Sequence, residues 1–288
     1  MRFAHWVHFT ALALTFALGS LADASASFNK VGGTLKVNGD AQNDEITIVG
    51  TQVSGTVQVF DHGQSIALVD GVHDLGIQTG DGDDFLLISG VQIGGSIKIK
   101  TGAGVDDVIL RGESTQPPRD LFIGKNIDAS LGRQLGDQFK IKSTTAGGVS
   151  IGGNVVVRGA AFTHFDCPSG GSNVDALDIR IGGNMRVDSG VAGDSGVQVD
   201  GTNVHGTTKI TTGNKNDSVF LFRSHFVRAT TIRTSGGDDF ILFATGANEN
   251  RFGAALVIDA GVGTDVSNAE GNGQFAGSLV LKGVESAN

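Results

Sequence analysis

The sequence predicts an all-β protein: a single-stranded parallel β-helix, or solenoid, of the usual right-handed sense, with about ten coils of about 22 residues each. A coil here is one complete revolution of the chain. Three observations predict this fold. Short segments alternate apolar and polar residues, turns containing aspartate recur in one alignment column, and a second column of glycine-containing turns lies between them.

The composition excludes several other classes of protein. Of the 288 residues, 45 are glycine, but only 3 are proline and glycine has no three-residue period, so the chain is not a collagen. A hydrophobic share of 39% is too high for simple disorder. Cys167 is the only cysteine, which rules out a disulfide framework within the chain.

The N-terminus predicts a secretory signal peptide over residues 1–26. An apolar run at residues 9–18 is followed by small residues that include Ala24 and Ala26, so cleavage is expected near Ala26 or, alternatively, after Ala22. The run is about ten residues, about half the length of a membrane-spanning helix. We therefore expect a secreted or extracytoplasmic protein with no membrane span in the mature chain.

The charge of the chain bears on its partners. The formal net charge is −9 and no basic run occurs, so nucleic acid is not expected as a partner. Divalent cations or basic surfaces suit this charge better, and a cell-surface, protein or glycan partner stays open. Export without paired cysteines is typical of bacterial proteins.

The aspartate turns define the repeat. Asp84 and Asp106 are 22 residues apart, as are Asp217 and Asp239, and each is followed by apolar residues two and four places later. Weaker copies of the turn place four more aspartates in the same column: Asp44, Asp137, Asp175 and Asp265. If the repeats stack in register, the apolar residues line a continuous interior and each strand pairs with its copy in the next coil.

A second column consists of triplets such as Ile93-Gly94-Gly95. A small polar residue follows every triplet: Thr56, Ser96, Asn126, Asn154, Asn184 and Thr207. Stacked asparagines are expected to form an amide ladder or to close turns. Each repeat then has three short strands, and residues 27–288 form the solenoid. A β-sandwich is the alternative fold, although it does not need one turn sequence at a fixed period.

Two insertions are predicted, at about residues 112–119 and 160–174. Insertions in solenoids form loops, and loops carry function more often than the coil does. The second contains His164, Asp166 and Cys167, the only cluster of a histidine, an acid and a thiol. A Cys–His nucleophilic site is one interpretation, and an incidental buried thiol is the other.

The turn pattern G-x-G-x-D, followed by alternating apolar residues, resembles the haemolysin-type (RTX) calcium repeat. Three turns match it: Gly80, Gly82 and Asp84; Gly102, Gly104 and Asp106; and Gly261, Gly263 and Asp265. In that family Ca²⁺ lies between successive turns of a parallel β-roll, so the resemblance implies calcium along the aspartate edge. Exported bacterial repeat proteins are similar to this chain.

The candidate metal ligands follow from that resemblance. The strongest are the acidic residues of two neighbouring repeats: Asp81, Asp83, Asp84, Asp106 and Asp107, with Asp217 and Asp239 as further candidates. Calcium is the only cofactor expected. The alternative is that each aspartate accepts hydrogen bonds from nearby backbone N–H groups and closes its turn without a metal.

The functional prediction is an exported structural, surface or adhesion-like solenoid, with a weak calcium-binding module as one alternative. A polysaccharide lyase or hydrolase is another, because such enzymes commonly use parallel β-helices. Lys98 and Lys100 could assist such chemistry beside Asp84 and Asp106, but they alternate with isoleucines as the solvent side of a strand does. The last strand, near residues 279–281, has little sequence after it to cover it, so end-to-end self-association is expected.

Overall fold

The structure, a computed structural model, describes residues 26–113, 117–132, 134–144, 146–167, 179–190, 193–245, 250–271 and 274–287. Residues 1–25 of the predicted signal peptide and residues 168–174 of the second predicted insertion lie outside this part of the chain. Within it the regular elements are all strands. None of the described residues belongs to a helix with the length and apolarity needed to cross a membrane.

The strands form three sheets, as the three segments per repeat predict. Sheet A contains eleven strands: β1 (Ser27–Val31), β2 (Thr34–Asn38), β6 (Asp74–Gln78), β9 (Ile97–Lys100), β12 (Ile127–Ser130), β15 (Val155–Arg158), β18 (Met185–Asp188), β21 (Thr208–Thr211), β24 (Thr230–Arg233), β27 (Leu256–Asp259) and β30 (Leu279–Lys282).

Sheet B follows sheet A in each coil. It contains twelve strands: β3 (Glu45–Gly50), β4 (Val57–Asp61), β5 (Gln64–Val69), β7 (Phe85–Ser89), β10 (Asp107–Arg111), β13 (Gln138–Lys142), β16 (Phe162–Asp166), β19 (Gly196–Asp200), β22 (Ser218–Phe222), β25 (Phe240–Thr245), β28 (Val266–Gly271) and β31 (Ser286–Ala287).

Sheet C completes each coil with shorter strands. It contains eight: β8 (Gln92–Ile93), β11 (Leu121–Ile123), β14 (Val149–Ile151), β17 (Ile179–Ile181), β20 (Thr202–Val204), β23 (His225–Phe226), β26 (Arg251–Phe252) and β29 (Gln274–Phe275). From β6 onward every strand pairs in parallel with its copy in the next coil, which confirms a parallel β-solenoid.

The coils are longer and fewer than predicted. Seven coils separate β6 from β27, at about 26 residues per coil, and strands of the same sheets continue beyond both ends. The expected 22-residue step does occur, as between Leu75 and Ile97. The next step, from Ile97 to Ile127, takes 30 residues because the connections between its strands are longer. The prediction of ten coils of 22 residues is therefore replaced by about seven of 26.

The N-terminal end is closed by antiparallel strands, which the repeat pattern does not predict. β1 pairs antiparallel with β2 across a turn at Gly32 and Gly33, whose φ angles of 58° and 85° favour glycine. β3, β4 and β5 form an antiparallel meander at the edge of sheet B. Val57 and Val59 of β4 are fully buried, so this meander covers the first coil of the interior.

The interior is a set of apolar columns, one residue per coil. In sheet A, Leu75, Ile97 and Ile127 occupy consecutive positions of one column and are buried. In sheet C, Phe252 stacks between Phe226 and Phe275, with ring centroids 5.3 and 5.2 Å away. Alternation within each strand therefore separates the core from the surface, as the sequence predicts.

The last described strand of sheet A is only partly covered. Leu279 and Leu281 of β30 continue the inward columns of Leu256 and Ile258, with which they pair directly. Leu256 and Ile258 are fully buried, whereas Leu279 and Leu281 are 41% and 37% exposed. Apolar core positions therefore face solvent at this end, in contrast to the closed N-terminal end.

Candidate functional site

The aspartate column lies at the corner between sheets A and B, one residue before each strand of sheet B. Seven of its members are buried there: Asp44, Asp84, Asp106, Asp137, Asp217, Asp239 and Asp265. Asp175 lies outside the described residues. In the two coils between Asp137 and Asp217 the equivalent positions belong to Ala161 and Ser195, so the column is interrupted.

Each aspartate links its coil to the preceding one. The N–H of Asp44 donates to Asp84 Oδ1 at 2.9 Å, and that of Asp84 donates to Asp106 Oδ1 at 3.2 Å. The same contact joins Asp217 to Asp239 at 2.8 Å and Asp239 to Asp265 at 2.9 Å. We call this set of contacts the inner ladder. It satisfies backbone donors at a buried corner where no sheet ladder can reach them.

Burial raises the pKa of the carboxyl groups in the inner ladder. The pKa of Asp106 rises to about 6, mainly because burial disfavours its charged form, with a further contribution from the charges of Asp137 and Asp84. Burial likewise raises the pKa of Asp239 to about 6. The Oδ2 atoms of these groups are buried, and hydrogen bonding to the hydroxyl groups of Thr79, Thr101 and Thr234 offsets part of the rise in the pKa of Asp84, Asp106 and Asp239, respectively. Protonation of these groups would remove both the cost of burying a charge and the repulsion between neighbouring carboxylates.

A second ladder follows the outside of the same corner. Asp83 Oδ1 accepts the N–H of Val105 at 2.7 Å, and Asp81 Oδ1 accepts that of Ala103 at 3.1 Å. Here the donor lies in the later coil, so this outer ladder has the opposite direction to the inner one. Asp107 belongs to neither ladder, because it points out of sheet B and lies 3.2 Å from Lys140 Nζ.

The predicted calcium ligands are thus placed in three environments. Asp84 and Asp106 are buried neighbours, Asp81 and Asp83 are exposed beside them, and Asp107 pairs with a lysine. Across the described part of the chain, no group of three or more His, Cys, Asp or Glu side chains is arranged to hold a metal. Calcium binding stays a prediction.

The asparagine column forms the predicted ladder at the corner between sheets C and A. Asn126 Oδ1 accepts the N–H of Asn154 at 2.8 Å, and Asn154 Oδ1 accepts that of Asn184 at 2.7 Å. The glycines beside it allow the coils to approach closely. A Cβ on Gly152 would lie 2.4 Å from the carbonyl oxygen of Gly124.

The predicted His–acid–thiol cluster does not assemble on one loop. His164 and Asp166 belong to β16, so the second insertion begins after this strand rather than at residue 160. Their side chains alternate with the buried Phe165 and so lie on the outer face of sheet B, whereas Cys167 is buried. Burial and the neighbouring Lys140 lower the pKa of His164. At the base of the first insertion, Glu113 and Arg119 form an isolated antiparallel β-bridge between their backbones.

One feature was missed by the sequence analysis. A groove of about 530 Å³ crosses the outer face of sheet A over β2, β6 and β9. Its lining includes Lys36, Gly76, Lys98 and Lys100, with Asn38 and Gln78. The predicted exposure of Lys98 and Lys100 is confirmed. Asp84 and Asp106 do not line the groove, so the lysines and these aspartates share no cleft.

The chain was compared with models of protein families, with curated proteins and with solved structures, and no match was found in any of the three.

Proposed function

We propose that this protein is an exported, non-catalytic solenoid that displays its outer faces to a surface or protein partner. The observation that carries the proposal is that the polar corner residues bind neighbouring coils. Asp84, Asp106, Asn126 and Asn154 each accept a backbone N–H of the adjacent coil. Such residues stiffen a rod, and they are not free to act on a substrate. We also propose that the solenoid is right-handed, as the sequence leads us to expect.

Residues in the first and last described coils support the same proposal. Ala26 is buried and donates its N–H to the Asp61 carboxylate at 2.9 Å, so Ala26 is part of the closed N-terminal end. This contact favours the alternative cleavage position, after Ala22, because it leaves Ala26 in the mature chain. In the last described strand of sheet A, the exposed Leu279 and Leu281 favour association with a second copy.

Export is tested by expressing the full chain with a C-terminal epitope in a bacterial host. We expect the epitope outside the cytoplasm, on a chain that starts between Asp23 and Ser27 as determined by mass spectrometry. The control is Leu14→Arg, which interrupts the predicted apolar segment and should retain the chain in the cytoplasm. An uncleaved wild-type chain confined to the cytoplasm would contradict the proposal.

A weak calcium-binding module is the second candidate. It is favoured by the buried carboxyl groups of Asp84 and Asp106, which lie in adjacent coils and whose like charges a divalent cation would neutralise. Calcium that binds only the folded chain must raise the melting temperature. We expect a rise of several degrees in millimolar Ca²⁺ relative to chelator, measured by circular dichroism, and its loss in the double variant Asp84→Ala, Asp106→Ala.

The matched control for calcium is Asp259→Asn, on the outer face of sheet A and away from both ladders. It should keep the full calcium effect. Equal melting temperatures of the wild-type chain in calcium and in chelator would leave the inner ladder as a purely structural device.

A further inference from the structure

The groove on sheet A is produced by one missing side chain. Gly76 of β6 lies between Lys36 of β2 and Lys98 of β9 in the same outward column. An ideal Cβ on Gly76 would meet only Lys36 Cγ, at 3.8 Å, so the floor of the groove is open space rather than packed interior. Its volume, about 530 Å³, is in the range of small-molecule sites, roughly 300–1,000 Å³.

The lysines around this floor are not neutralised. Elsewhere on sheet A the outward arginines pair with aspartates: Arg158 with Asp128, Arg186 with Asp188 and Arg233 with Asp259. Within the part of the chain that the structure describes, no ion pair involves Lys36, Lys98 or Lys100. Three exposed lysines therefore line one groove of a chain whose net charge is −9.

Two carboxylates beside the groove have other partners. Asp74, which lines one end of the groove, accepts the N–H of Ser96 at 2.7 Å and lies 2.8 Å from His73 Nδ1. Asp128, opposite Lys98 in the next strand, contacts Arg158 Nη1 at 2.5 Å. The positive charge of the groove is therefore left for a ligand.

The chemistry of the cations narrows the ligand class. All three are lysines, which act as compact point charges, whereas planar carboxylates are best matched by the two-pronged guanidinium of arginine. Several lysines along one groove suit an oxyanion such as phosphate or sulfate, which each can approach as a point charge. Asn38 and Gln78 add neutral donors and acceptors beside them, and the volume exceeds the needs of a bare ion.

We propose that this groove binds a phosphate or sulfate group, carried as an ester on a small hydroxylated molecule. The oxyanion lies over Gly76 between Lys36 and Lys98, with Lys100 at the far side. Asn38 and Gln78 hydrogen-bond the hydroxyl groups of the carrier. This inference goes beyond display by a stiff solenoid and does not depend on export.

The test is isothermal titration calorimetry of the full chain at low ionic strength, with glucose 6-phosphate, inorganic phosphate, inorganic sulfate and glucose as separate probes. We expect binding of the anionic probes, weakened by added salt, and none of glucose. Tighter binding of glucose 6-phosphate than of phosphate identifies the ester, and equal binding identifies the anion as the part recognised. Absence of heat with every anionic probe overturns the proposal.

Two variants test the geometry independently. Lys98→Gln removes one charge, and Gly76→Val fills the floor while all charges stay. Lys98→Gln should weaken glucose 6-phosphate binding about tenfold or more, as expected for loss of a charge-assisted contact. Gly76→Val should weaken it by a comparable factor, because its side chain occupies the space over which the oxyanion lies. Lys209→Gln, at an outward position of sheet A that does not line this groove, is the matched control and should bind as wild type. Unchanged binding in both test variants, with wild-type melting temperatures, would also overturn the proposal.

Discussion

Gly152→Ala should lower the melting temperature by several degrees and destabilise the fold by about 1–3 kcal/mol or more. The added Cβ would lie 2.4 Å from the Gly124 carbonyl oxygen, a backbone atom that cannot rotate away. To accept it, two coils must separate at the corner where Asn126 holds the N–H of Asn154. The measurement is thermal unfolding followed by circular dichroism at 215–220 nm, a wavelength suited to strands.

The control is Gly76→Ala, on the outward face of sheet A. The same methyl group meets nothing closer than 3.8 Å there, and alanine should cost less than about 0.5 kcal/mol as a surface change. Equal melting temperatures for the two variants would mean that the corner is loose enough to absorb a methyl group, contrary to the close approach in the structure.

The protein should be more stable at pH 5 than at pH 7.5. Because burial raises the pKa of Asp106 and Asp239 to about 6, the folded chain binds more protons than the unfolded chain between about pH 4 and pH 6. The stability that these protons contribute is fully present below the ordinary pKa of 3.8 and is lost as the pH rises through about 6. We expect a fall of several degrees in melting temperature from pH 5 to pH 7.5.

Asparagine at these positions should remove much of that dependence. Asp106→Asn keeps an oxygen for the N–H of Asp84 but carries no charge at any pH, and Asp239→Asn does the same for Asp217. The double variant should melt higher than wild type at pH 7.5 and close to wild type at pH 5. A wild-type pH profile in the double variant would assign the dependence to other groups.

The solenoid could be predicted because its corners repeat in the sequence. The repeated motifs lie at corners where the backbones of adjacent coils nearly touch. They are the G-x-G-x-D turns that end in Asp84 and Asp106, and the Ile-Gly-Gly triplets. The N-terminal closure was not predicted, because antiparallel β4 alternates buried and outward residues with the same two-residue period as the parallel strands. Coil length was underestimated because the strong copies of the turn are the 22-residue ones.

The groove could not be predicted from local sequence patterns. Lys36 and Lys98 are 62 residues apart in the sequence, and the strand between them contributes only the absence of a side chain at Gly76. The interruption of the aspartate column was also missed. The sequence places Asp175 in this column, whereas the register gives the two positions to Ala161 and Ser195. Ser195 has no carboxylate of its own, and its N–H donates to Asp217 Oδ1 of the next coil at 2.7 Å.

The unlike ends of the solenoid bear on how such a chain can change in length. The last described coil presents Leu279 and Leu281 in the same columns as every coil before it, so a duplicated repeat added there would find its partners already in place. At the other end a new repeat would have to displace the meander that contains Val57 and Val59. Lengthening by tandem duplication is therefore far less disruptive at one end of this molecule than at the other.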